Sequence, residues 1–93
     1  MASDPAIELV SALDEVTLLL RESNEKHWTA WLEKDRRLIA NGDFYGVEHL
    51  LQAFGGMGSF NDLVLAEPDK DAKIRALRST IYDHATALKR ARG

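Results

Sequence analysis

Apolar side chains recur along this chain at spacings of three and four, in four blocks separated by short polar or glycine-bearing breaks. In the first block Ala6, Val10, Leu13, Val16, Thr17 and Leu20 mark one helical face, and Ile7, Leu9, Leu18 and Leu19 widen it beyond a single stripe. Ser3 or Asp4 is its expected N-cap, with Pro5 at the first helical position, where a missing N–H costs nothing. The second block carries Trp28, Trp31, Leu32, Leu38 and Ile39 on one face, with Ala30 and Asp35 nearby. Ser23 or Asn24 is expected to cap it and Asn41-Gly42 to end it.

Asp43 predicts the cap of a short third helix with Val47, Leu50, Leu51 and Phe54 on its buried side. Phe44 and Tyr45 in its first turn are placed to pack back onto the Trp pair. Gly46 weakens this helix by roughly 1 kcal/mol relative to Ala, which predicts close packing or a functional approach there. The last helix is expected from about Asp69 to Lys89 or Arg90, after the break at Glu67-Pro68, with Ile74, Leu77, Ile81, His84 or Ala85, and Leu88 facing inward. Its acids lie at the start and its bases at the end, as the helix dipole favours.

The expectation is an all-α fold: a compact bundle of four main helices, one domain over residues 1–93, frayed at 1–4 and 91–93. The width of the first apolar face adds something. Such a helix is either central in its own fold or buries a second face in a partner. Leu9, Leu18 and Leu19 are therefore candidate interface residues, and the favoured reading is a non-enzymatic protein-interaction domain, possible self-association as a homodimer included.

Between the third and last helices the chain reads Phe54-Gly55-Gly56-Met57-Gly58-Ser59-Phe60-Asn61-Asp62-Leu63-Val64-Leu65, with three of the six glycines inside four positions. Gly55 is expected to be the C-cap of the third helix. Residues 61–65 fit a helical turn begun at Ser59 or Asn61 as well as an extended Leu63-Val64-Leu65, because a short apolar run has no decisive period. The plain reading is a packed reversal of the chain. The functional alternative is a small-ligand or enzymatic site built on Gly55, Gly56, Met57, Gly58, Ser59, Asn61 and Asp62. Two phosphate-binding motifs are excluded: no Lys-Ser/Thr follows the glycines, and the would-be third glycine of G-x-G-x-x-G is Asn61.

Residues Ala53 to Leu65, together with Trp31-Leu32, Arg36-Arg37, Asn41-Gly42-Asp43-Phe44-Tyr45-Gly46 and His49-Leu50-Leu51, resemble the signature of a family of small bacterial proteins bearing a domain of unknown function. The similarity runs over roughly residues 28 to 67. It implies a small bacterial cytosolic helical protein and carries over no catalytic residue.

Charge and composition narrow the chemistry. The net charge is −3, but residues 1–68 hold 5 basic and 12 acidic side chains and residues 69–93 hold 7 basic and 3 acidic. The basic side chains are expected to form the solvated face of a last helix lying against acidic neighbours; steering of a charged partner, or head-to-tail pairing of two copies, is the alternative. The cations are too mixed with acids for a nucleic-acid footprint. There is no cysteine, hence no disulfide or thiolate site. His27, His49 and His84 fall on different helices without metal-ligand spacing, and Ser59, His49 and Asp62 lack the context of a nucleophilic triad. No cofactor, metal or catalytic residue is expected. With no basic-then-apolar leader and no long apolar run, a cytoplasmic location away from membranes is the default.

Overall fold

The computed structural model describes residues 4–55 and 58–92, and the side chains of all of these but Arg92. Among them are four α-helices, α1 (Pro5–Glu22), α2 (Lys26–Ala40), α3 (Tyr45–Gln52) and α4 (Pro68–Arg92), and one 3₁₀ turn, Phe60–Asp62, with no strand. The all-α bundle is thus as expected, and α4 runs two or three residues further than its apolar pattern.

Asp4 caps α1 by accepting from the Ala6 N–H at 2.8 Å, with Pro5 in the first turn. The break after α1 differs from expectation. Asn24 takes φ +59, the Glu25 N–H reaches the Leu20 carbonyl, and the Asn24 N–H reaches that of Arg21. Ser23-Asn24 therefore closes α1 as a C-terminal cap and does not start α2, whose Glu25 N-cap makes no side-chain bond. Gly42 (φ +77) ends α2 with the same pair of bonds, Asp43 N–H to Leu38 and Gly42 N–H to Ile39. Asp43 Oδ1 then accepts from the Tyr45 N–H at 3.0 Å and turns the chain into α3.

α1 packs along both α2 and α4, α3 packs on α2, and α4 closes over α3. That central place accounts for Leu9 and Leu19 in the wide apolar face of α1, while Ile7 is exposed. Leu9, Leu13, Val16 and Leu20 are fully buried and Leu19 nearly so, beside Leu32, Leu50, Phe60, Ile74, Ile81 and Ala85. Leu9 and Leu19, expected at an interface with a partner, belong to the chain's own core; Leu18 remains exposed. The Trp pair roofs this core, half-buried, at 5.4 Å between rings. Gly46 lets α3 approach α2 closely. A Cβ there would come within 2.8 Å of Leu38 Cβ and 2.9 Å of Ile39 Cγ1, so the expected close packing is present.

The connection from α3 to α4 is described at residues 53–55 and 58–67. Gly55 is not a left-handed cap; α3 ends at Gln52, and tight bonds from the Ala53, Phe54 and Gly55 N–H groups to carbonyls three residues back satisfy its end. Gly58 does take a positive φ, +77. Phe60, fully buried, begins the 3₁₀ turn, and Leu63 beyond it is extended, so both readings of residues 61–65 hold in part.

Candidate functional site

The α3–α4 connection is held to α4 by one cation. Arg78 Nη1 donates to the carbonyls of Phe60 (3.1 Å) and Leu63 (2.6 Å), and its guanidinium lies 5.9 Å from the centre of the Phe60 ring. Two carboxylates brace the same connection by accepting its N–H groups: Asp62 Oδ2 from Gly58 (2.9 Å) and Asp71 Oδ1 from Leu65 (3.0 Å). The Leu65 bond, aided by Arg75 at 2.7 Å, lowers the Asp71 pKa from its ordinary value. Partial burial lowers that of Arg78, against the pull of Asp71 and Asp62; a guanidinium stays charged regardless.

Where the connection meets α4 lies an open groove of about 430 Å³, lined by Phe54, Asn61, Arg75, Arg78, Ser79 and Tyr82. The four α4 residues follow one another at helical spacing on one face. Phe54 and Tyr82 stand edge to face at 5.4 Å and wall one side.

The candidate residues of the glycine stretch divide. Asn61 lines the groove. Gly55 and Gly58 shape the backbone, Asp62 is engaged by Gly58, and Ser59 is buried with its Oγ unpartnered. Gly56 and Met57 lie outside the described residues. No hydrogen bond among the described residues links Ser59, His49 and Asp62, so that triad is not assembled. No group of three or more His, Asp or Glu among the described residues could hold a metal ion. No helix among them is long and apolar enough to cross a membrane.

A second polar cluster joins α2 to α3. Asp35 has no exposed surface; its Oδ1 is bonded to His49 Nδ1, and its Oδ2 has no partner. Burial raises the Asp35 pKa to about 6, with His49 pulling it back. Trp31 stacks on the His49 ring at 4.3 Å, and its Nε1 is also buried without a partner. The Asp35–His49 bond ties α2 to α3. Sequence reasoning placed Asp35 beside the apolar face of α2; a carboxylate one turn from Trp31 on that face was the available signal. The role of Arg78 had no signal beyond its charge.

The basic side chains of α4 pair locally, Lys70 with Glu67 and Arg75 with Asp71. None among the described residues is ion-paired to a carboxylate on another helix, although α4 packs on α1 and Lys73 shares a cleft with Glu15 and Glu22.

A family model described as a domain of unknown function, DUF6966, matches residues 21–73. No curated protein and no solved structure matches the chain.

Proposed function

This chain belongs to the DUF6966 family, a domain of unknown function, and from that premise we propose that it is a non-enzymatic protein-interaction domain whose partner binds in the groove between the α3–α4 connection and α4. The observation that carries the reading is the groove itself: the exposed Arg75, the half-buried Arg78, a hydroxyl pair on the same face of α4 and an aromatic wall beside it. Among the described residues lining it, no nucleophile has a base bonded to it, which favours binding over catalysis. The test is affinity capture with the whole chain. A partner should be retained by the unaltered chain and by Leu18→Lys on the far side, and lost with Ser79→Trp or Tyr82→Ala at unchanged melting temperature. Equal retention by all four overturns the reading.

A second reading, self-association, rests on Leu18, which stands exposed at a shallow cleft between α1 and α4 that also includes Glu15, Glu22, Lys73 and Leu77. A two-fold contact there would set Glu15 or Glu22 of one copy against Lys73 of the other. Light scattering over a concentration range decides it: a mass of two chains that falls to one with Leu18→Lys supports it, and a monomer throughout removes it.

A further inference from the structure

Resting on the groove reading, we infer that the segment bound there is acidic: a carboxylate of the partner peptide is held by Arg78 and Arg75, and a neighbouring aromatic side chain lies against Phe54 and Tyr82. Arg78 is fixed on one edge only. Its Nη1 is engaged by the Phe60 and Leu63 carbonyls, while Nε and Nη2 have no acceptor among the described residues. A planar guanidinium anchored in this way is already oriented, so little side-chain freedom is lost when a carboxylate meets its open edge.

The local acids attract it but are not hydrogen-bonded to it. Asp62 is engaged by the Gly58 N–H, and Asp71 is shared between the Leu65 N–H and Arg75. Arg78 therefore has no hydrogen-bonded carboxylate partner among the described residues, although it lines an open groove. Arg75 is exposed and reaches the same groove, and Ser79 and Tyr82 follow it along the helix with hydroxyl donors. Asp71 and Asp62 nearby reduce the positive field. That suits the single charge of a carboxylate better than the near-double charge of a phosphate ester.

The probe is a fluorescein-labelled peptide of alternating Glu and Tyr, read by fluorescence anisotropy against the intact chain. Its Gln-for-Glu and phosphoserine-for-Glu counterparts serve as comparisons. The Glu–Tyr peptide should bind, weaken with added salt, and exceed the Gln peptide by about tenfold or more, the scale of one charge-assisted hydrogen bond. Arg75→Gln and Tyr82→Ala, on the exposed face of α4, should each reduce binding several-fold at unchanged helicity. Arg78→Lys, which keeps the charge and loses the fork, should reduce it further. Equal binding of the Gln peptide, a preference for phosphoserine, or indifference to Arg75→Gln overturns the inference. If capture of a partner is lost with Ser79→Trp while no Glu–Tyr peptide binds, this inference fails and the groove reading stands. If both experiments are blank, both fail.

Discussion

His49 on the third helix bonds to Asp35 on the second through Nδ1 and Oδ1, and the carboxyl that receives it has no exposed surface. Removing one partner of such a pair leaves the other buried and unmatched. His49→Ala, which leaves the Asp35 carboxyl buried without its partner, should therefore cost about 3 kcal/mol and lower the melting temperature by more than about 10 °C. Urea and thermal unfolding of the variant measure both.

The same carboxyl makes stability depend on pH. Burial holds Asp35 near 6, above its ordinary 3.8, so the folded chain binds this proton more tightly than the unfolded chain does. The stability contributed is fully present below the unfolded value and is lost as pH rises through about 6. Asp71, lowered by Leu65 and Arg75, has the opposite sign: its contribution is present above the ordinary carboxylate value and is lost on acidification. Urea midpoints across this range should show the Asp35 slope, and Asp35→Asn should flatten it while leaving the acid-side loss in place.

Gly46→Ala should separate α2 from α3. The new methyl would meet Leu38, Ile39 and the Asp35 carbonyl at 2.8 to 3.1 Å, and two of these are core-facing positions held by helix backbone. The expected loss is about 1 to 3 kcal/mol, the usual cost of overpacking. Chemical denaturation reports it, and an unchanged midpoint would mean that the two helices part freely.

Two glycines of the α3–α4 connection should respond differently to the same change. Gly58 sits at φ +77 with open space around its Cβ position, so Gly58→Ala strains the backbone without a clash and should cost about 1 kcal/mol. Gly55 has an ordinary φ and nothing closer than the Gln52 carbonyl at 3.7 Å, so Gly55→Ala should be neutral or stabilise by up to about 0.5 kcal/mol. Parallel melts of the two variants test the contrast.

Arg78→Ala should release the connection from α4. Two hydrogen bonds from a charged donor go with the side chain, a loss of about 2 kcal/mol in local stability. Hydrogen exchange should quicken at Leu63 and Leu65 more than at Ile81, whose environment is the helix core.

The helices and their inward faces were legible because burial repeats with the helical period, as Leu13, Leu32, Leu50 and Ile81 show. The junction at Ser23-Asn24 was misjudged for a definite reason. Polar residues suit either helix end, and composition alone does not say whether carbonyls or N–H groups need partners there. The wide face of α1 offered two explanations, and only the positions of α2 and α4 choose between them for Leu9 and Leu19. Asp35 was visible beside an apolar face, but its partner lies 14 residues away on a helix whose approach depends on Gly46. Arg78 read as one cation among several; its bonds to Phe60 and Leu63 exist only once the chain has reversed direction.

The packing of α1 against α4 also bears on what kind of unit the family match describes. The matched segment, 21–73, opens in the last turn of α1 and stops inside the second turn of α4. It leaves out Leu9, Leu13, Val16, Leu20, Ile74, Ile81 and Ala85, which cover the inner faces of α2 and α3. A fragment trimmed to those limits would present Leu32, Leu50 and Phe60 to water and should stay unfolded. The matched stretch is thus shorter than the stretch of chain that closes the core.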